Sequence, residues 1–361
     1  MMIRSEKHNY RKPIMIFAGE FWDGASGTGL ADGFRSMGWA VQEVDYRHYG
    51  ASNARSIPIR IASRLTRNSA DYAYRQRLIA ECQGLMPDIF LTIKGTAIDQ
   101  ETLLRIKETG AIAAMYYPDV HFKHPGVFED SFSDYDLFVT TKKFQLQSLH
   151  AQFGDEQVAY VPHGYVDRVH ASIHSAFSLS DFGPDVLYAG NHSAYKQKWL
   201  EGLMERNPSL DLSVVGSRWK ENSAGGPLAQ AKMLGPAQSV AYASAIQLAK
   251  INVAIHMGPT SSGWFDLVST RTFEIPACRG FMLHIDSDEV REFFTPGVEI
   301  DVFSTVDELS DKVVFYLGKP ELRRQMIERA YTRCVPAYGY GVRAQEVSQL
   351  LQRKLLSKAV P

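Results

Sequence analysis

The stretch DIFLTIKGTAIDQETLLRIKETGAIAAMYY, residues 88–117, carries two short apolar runs bounded by turn residues, with an amphipathic segment between them. This alternation predicts a β-α-β unit of a parallel sheet. The same rhythm continues in both directions. Towards the N-terminus it predicts strands at IMIFA (14–18) and AVQEVD (40–45), and beyond the central pair, DIFLTIK (88–94) and AIAAMYY (111–117), at DLFVTT (136–141) and VAYVP (158–162). A second series then begins, with DVLYAG (185–190), LSVVG (212–216), INVAIHM (251–257), GFMLHI (280–285) and VEIDVF (298–303). After Val302 the pattern turns helical, and VRAQEVSQLLQRKLL carries a helical stripe of Val342, Val347, Leu350, Leu351 and Leu355.

The expected fold class is α/β, two Rossmann-like doubly wound domains in sequence. Between the two series lies HASIHSAFSLSDFGPD, residues 170–185, poor in large aliphatics and holding a Gly-Pro turn, which places the junction there. The expected domains are residues 1–172, joined by the last helix over 340–361, and residues 180–338. Two such domains place a ligand in the cleft between them, beyond the carboxyl ends of the strands.

Composition fits this. The chain has 361 residues, 45% hydrophobic and 22% charged, which excludes disorder and collagen-like repeats. Its 39 Lys+Arg balance 40 Asp+Glu, so no overall charge favours nucleic acid or an anionic membrane. Three scattered cysteines, Cys82, Cys278 and Cys334, form neither a disulfide framework nor a zinc spacing. No apolar run approaches the roughly twenty residues of a membrane helix, and the N-terminus lacks a signal h-region, so a soluble cytoplasmic protein is expected.

The glycine cluster GEFWDGASGTGLADG, residues 19–33, invites a dinucleotide or P-loop reading. Both fail: Asp32 stands where the third glycine of G-x-G-x-x-G belongs, and Leu30 and Ala31 replace the Lys and Ser/Thr of a P-loop. What remains is a loop entering a helix near Thr28, either a ligand contact or a plain turn. Asp286-Ser287-Asp288 could clamp a divalent cation, but its place between a strand and DEVREFF suits a helix cap better. His170 and His174 share an i, i+4 spacing without a third ligand, which reads as a solvated face and not zinc.

Residues 242–330 contain Arg271, Phe273, Glu274, Ile275, Ala277, Gly280, Phe281 and Met282, followed by an acidic residue, E-F-F, G-V-E and a terminal E-R-A. This pattern resembles the C-terminal domain of the spore-maturation CgeB-like glycosyltransferases. Arg279 departs from it, standing where the family commonly has glycine. The resemblance implies the GT-B fold, two facing Rossmann-like domains with the final helix crossing back onto the first. It also implies a nucleotide-diphosphate sugar as donor substrate, with no further cofactor and no metal. The acceptor would be a hydroxyl of a glycan, protein or small molecule.

Many retaining members of that fold carry E-x7-E, and counting back from Glu274 lands on Asp266. The resemblance therefore places Glu274 at the donor ribose and Asp266 at the transferred sugar. Physical chemistry supports a donor site here, since a carboxylate accepts from two vicinal hydroxyls and a helix beginning near Thr272 presents amides to a pyrophosphate. Ser269, Thr270 and Arg271 would meet phosphate. Lys196, with Lys198 as an alternative, follows the strand ending at Gly190 and would face the leaving diphosphate, as would Arg218 after Gly216. Backbone groups around Leu234 and Gly235 would hold the base. On the facing domain, Asp119 in YYPDVHF would orient or deprotonate the acceptor, with His121 beside it, and His163 in YVPHGYVD would face the donor.

The expected function is thus a metal-independent, retaining glycosyltransferase. An epimerase of the same fold and a silent nucleotide-sugar-binding module are its rivals.

Overall fold

The computed structural model describes residues 12–49, 66–172, 183–223, 225–261 and 263–359. The first half runs β1 (Ile14–Gly19), α1 (Ser26–Ser36), β2 (Ala40–Asp45), α2 (Arg67–Leu85), β3 (Ile89–Ile93), α3 (Gln100–Lys107), β4 (Ile112–Tyr117), β5 (Leu137–Thr140), α4 (Leu146–Phe153), β6 (Val158–Tyr160) and α5 (Asp167–His170). The second runs β7 (Val186–Ala189), α6 (Ala194–Arg206), β8 (Leu212–Val215), α7 (Trp219–Asn222), β9 (Lys232–Gly235), α8 (Ser239–Leu248), β10 (Ile251–Ala254), α9 (Thr270–Ala277), β11 (Met282–Ile285), α10 (Asp288–Phe293) and β12 (Asp301–Phe303). Three helices close the chain, α11 (Val306–Leu317), α12 (Pro320–Cys334) and α13 (Tyr340–Ala359).

Each half builds a six-stranded parallel sheet, ordered β2-β1-β3-β4-β5-β6 and β12-β11-β10-β7-β8-β9. Apolar residues alternate between the two faces of each sheet: Met15 and Phe17 enter one core of the first sheet, while Ile16 and Ala18 enter the other. Burial on both faces is why these strands read as unbroken apolar runs. The expected strands recur within a few residues, though INVAIHM pairs only over Ile251–Ala254 and VEIDVF only over Asp301–Phe303.

One strand, β9, is additional to those expected from sequence. It lies at the sheet edge with alternating exposed and half-buried residues, so it lacks the apolar run that marks the others. The expected junction at 170–185 falls mostly on residues 173–182, outside the described residues, as does His174.

The last helix, α13, packs on the first sheet's side of the molecule. Tyr340, Ala344, Val347 and Leu351 join Leu30, Ala31 and Phe34 of α1 in one core, with Leu350 and Leu355 against its margin. Close approach of the two helices rests on two glycines one turn apart. A Cβ at Gly29 would lie 2.7 Å from Tyr340 Cβ, and one at Gly33 would lie 2.5 Å from Ala344 Cβ. Both belong to the glycine cluster that resisted a phosphate reading; their spacing serves helix packing.

Further ties join the halves directly. Tyr160 Oη donates to Glu289 Oε1 at 2.8 Å, and Lys143 Nζ meets Glu292 at 2.5 Å. The three cysteines are free and buried. Among the described residues no helix is long and apolar enough to cross a membrane.

Candidate functional site

The carboxyl ends of the two sheets converge on a cavity of about 260 Å³. Its lining draws on both halves: Asp119, His121, His124, Lys142 and His163 from the first, and Lys196, Asp266, Ser269, Thr270 and Arg271 from the second, with Ser26 at the start of α1.

On the first half, the segments leaving β4 and β5 are bound into one block. Gln145 Nε2 donates to the Asp119 and Val120 carbonyls at 3.0 and 2.9 Å, and the Thr141 hydroxyl donates to the Pro118 carbonyl at 3.2 Å. Asp119 is thereby fixed against a lysine and a histidine. Lys94 Nζ pairs with its Oδ2, and His124 Nε2 lies 3.1 Å from the same oxygen. Burial alone would raise the Asp119 pKa, but the His124 hydrogen bond and the Lys94 ammonium outweigh it and hold the carboxyl far below its usual range.

His163 is 4% exposed, and its Nε2 lies 3.0 Å from Thr141 Oγ1. Because the Thr141 proton goes to Pro118, Nε2 carries the histidine proton and Nδ1 is left as an acceptor. That Nδ1 is buried without a hydrogen-bond partner. Burial and then Lys142 push the His163 pKa well down, so the ring is neutral. Arg343 of α13 holds its position by donating Nε–H to the His163 carbonyl at 3.2 Å, and Tyr340 Oη donates to Ser26 Oγ at 2.6 Å.

On the second half, Arg271 sits in the first turn of α9 and bends back over the end of β7. A Cβ at Gly190 would lie 2.8 Å from its Nη1, so glycine is required for this approach. Arg271 Nη2 lies 3.3 Å from the Ile255 carbonyl and 3.4 Å from His256 Nδ1, while its Nε is buried without a partner.

Behind it stands a buried histidine pair, with His256 Nε2 to His284 Nε2 at 2.8 Å and His284 Nδ1 to the Ile285 carbonyl at 2.6 Å. A carbonyl only accepts, so His284 carries its proton on Nδ1, His256 donates from Nε2, and His256 Nδ1 is the acceptor facing Arg271. Burial pushes His284 down to about 4 and His256 well below its ordinary value, which keeps the pair neutral.

Lys196 is 8% exposed in the first turn of α6, whose N-cap Ser193 accepts from its amide at 3.4 Å. Its Nζ donates to the Asn191 carbonyl at 3.1 Å. Burial, with Arg271 and Arg218 adding repulsion, pushes the Lys196 pKa down to about 7. Two ion pairs at the cavity neutralise themselves, Lys94 with Asp119 and Lys142 with Asp266. Lys196 and Arg271 have no carboxylate partner among the described residues, which leaves two basic side chains, Lys196 buried and Arg271 half-buried, beside the amides of the α9 N-terminus.

The cavity thus gathers Asp119, His163, Lys196, Asp266, Ser269, Thr270 and Arg271. Gly190 stands behind Arg271. The remaining candidates lie outside. Glu274 is one turn further along α9, buried, accepting from Tyr242 Oη at 2.8 Å with Oε1 3.9 Å from His170 Nε2. Arg218 is exposed, next to α7. Leu234, 61% exposed, sits at a register shift of β9 opposite Val214 and Val215, so the ladder passes it by.

One expectation, the solvated His170, needs correction, and the cap reading of Asp286-Ser287-Asp288 holds. His170 is buried, not solvated, because its Nδ1 accepts the Val166 amide at 2.9 Å. Ser287 caps α10 by accepting from the Val290 amide at 3.2 Å, and Asp286 is held by Arg291 at 2.8 and 2.7 Å. Among the described residues no group of three His, Cys, Asp or Glu could hold a metal ion. Sequence reasoning passed over Lys142, His124, Lys94 and Ser26. Lys142 follows a predicted strand end, which is its one sequence signal.

Comparisons with known proteins agree with this architecture. Residues 194–349 match a family model described as glycosyl transferase-like. No curated protein matches the chain. Among solved structures, a glycosyltransferase from Rickettsia africae superposes with a TM-score of 0.66 at 11% identity, covering 96% of this chain and 99% of its own. Sucrose-phosphate synthase from Thermosynechococcus elongatus gives 0.66 at 13% identity, with 96% and 100% covered. Anabaena HepE, solved in complex with UDP and glucose, gives 0.61 at 12% identity, with 94% and 100% covered. At these identities the likeness establishes the fold, which is GT-B. The narrower resemblance to CgeB-like enzymes rests on the sequence pattern alone.

Proposed function

We propose that this protein transfers a sugar from a nucleoside-diphosphate sugar to an acceptor hydroxyl. The observation that carries the reading is the pair of basic side chains without carboxylate partners among the described residues, buried Lys196 and half-buried Arg271, beside the N-terminus of α9 in the inter-domain cavity. Such an arrangement binds and stabilises an anion. At about 260 Å³ the cavity falls below the range usual for a whole drug-sized ligand, so it suits the diphosphate and sugar, with base and ribose lying outside. Glu274 with Tyr242, and the segment around Leu234, are off the cavity lining and in this reading would take the ribose and base. The match of residues 194–349 to a glycosyl transferase-like family, and the UDP complex of the similarly folded HepE, support the same reading.

In this reading Arg271 and Lys196 neutralise the charge that develops on the departing diphosphate, and no divalent ion is needed for that role. Arg218 adds long-range positive charge. Asp119 is too weak a base, given its lowered pKa, to drive attack by deprotonation; it orients the acceptor hydroxyl. That weakness favours retention of configuration over an inverting displacement. His163 Nδ1 and Asp266 accept from sugar hydroxyls. Calorimetry with UDP, ADP and GDP on wild type, Arg271→Ala and Glu274→Ala tests the assignment. Binding of one diphosphate by wild type, weakened in both variants, is expected; equal binding by all three proteins, or none by any, overturns it.

A further inference from the structure

Lys142 is 2% exposed, lines the cavity and reaches from the first half into the second. Its Nζ donates to Asp266 Oδ1 at 2.6 Å and to the Val268 carbonyl at 2.7 Å. An ammonium has three donors, so one N–H is unused. Asp266 Oδ2 has no hydrogen bond among the described residues. His163 Nδ1, on the same lining, is likewise a buried acceptor without a partner. One donor and two acceptors therefore remain on groups that line one small cavity, two of the three supplied by the first half. A dry tie between domains would be made more cheaply from apolar side chains, because burying an ion pair carries a large desolvation cost.

We propose that Lys142 is a specificity-determining residue that reads the hydroxyls of the transferred sugar, acting with Asp266 and His163 in a subsite that spans both domains. This rests on the donor-site reading above and adds a residue to it. The free N–H donates to one sugar hydroxyl, and the carboxylate and imidazole accept from others. A polyol satisfies all three groups, whereas a sugar lacking one of those hydroxyls leaves a buried polar group unpaired. The subsite exists only with the halves together, so sugar recognition is coupled to cleft closure, and the diphosphate site built by Lys196 and Arg271 is not.

The test compares each diphosphate with its sugar conjugate, UDP with UDP-glucose, ADP with ADP-glucose and GDP with GDP-mannose, by calorimetry on wild type and Lys142→Met. For the pair that wild type binds, Lys142→Met is expected to weaken the sugar conjugate by about tenfold or more while leaving the diphosphate within about twofold. Equal weakening of both makes Lys142 a structural tie, and no weakening of either makes it irrelevant to binding; each overturns the proposal while the donor site stands. Should Lys142→Met fail to fold, wild type is titrated with deoxy forms of the bound nucleotide sugar. Loss of about tenfold or more for at least one deoxy position is expected, and parent-like binding by every one overturns the proposal. If wild type binds no diphosphate, the donor-site reading itself fails.

Discussion

Lys196 should make diphosphate binding take up a proton. In the empty site burial and neighbouring Arg271 hold its pKa at about 7. A bound diphosphate removes the cause by supplying negative charge, and the pKa returns towards the ordinary lysine value of about 10.4. The sign follows: the complex binds the proton more tightly than the free protein, so affinity is greatest below pH 7 and falls as pH rises above it.

From a free pKa of about 7, uptake should be about 0.1 proton at pH 6, about 0.5 at pH 7 and about 0.9 at pH 8. Integrated, affinity should fall about fivefold between pH 7 and 8 and about tenfold between pH 8 and 9. Above pH 7 a terminal phosphate is already largely ionised, its second pKa being about 6, so the ligand contributes little in this window. Calorimetry in paired buffers of different ionisation enthalpy reads the proton uptake directly. Lys196→Met should bind more weakly with a flat profile. Identical pH profiles for wild type and variant, or wild-type affinity rising with pH, would refute the reasoning.

Other consequences follow from close contacts and buried histidines. Gly190→Ala places a methyl 2.8 Å from Arg271 Nη1 and should weaken diphosphate binding by about tenfold with the circular dichroism spectrum unchanged, whereas undiminished binding would separate Arg271 from the anion site. Gly33→Ala, whose Cβ would lie 2.5 Å from Ala344 Cβ, should lower the denaturation midpoint by the equivalent of about 1–3 kcal/mol. Gly84→Ala on α2, with nothing within 4 Å, should instead be neutral or raise it. For His284, held at about 4 against an ordinary 6.5, the unfolded chain binds the extra proton between these values. Stability present above pH 6.5 should therefore be lost on acidification towards pH 4, by about 3 kcal/mol at about 1.4 kcal/mol per pH unit. His284→Gln should show a shallower acid dependence of its urea midpoint; an unchanged slope would contradict the assignment.

The strand positions were readable because both faces of each sheet are covered, so strands such as Ile89–Ile93 and Ile112–Tyr117 carry unbroken apolar runs. β9 was not, because an edge strand with exposed Lys232 and Leu234 has no such run. The cavity was readable to the extent that its groups follow strand ends or open α9: Asp119, His163, Lys196 and Arg271 all do. What sequence could not separate is two adjacent lysines after β5. Lys142 is buried against Asp266 and Lys143 is exposed beside Glu292, a difference made by which way each points across the domain boundary. The glycines at 29 and 33 were ambiguous for the same reason, since their purpose is α13, which lies more than three hundred residues away in sequence.

The central claim is that the cleft binds a nucleotide sugar through Arg271 and Lys196. It is tested most directly by incubating wild type and Arg271→Ala with UDP-glucose, ADP-glucose and GDP-mannose and following binding and release of the diphosphate. The account predicts that wild type binds one of these donors and liberates its diphosphate slowly by hydrolysis, and that Arg271→Ala does neither. Conversion of a donor alone into an epimer would contradict glycosyl transfer, and equal behaviour of the two proteins, or no binding by wild type, would contradict the donor site itself.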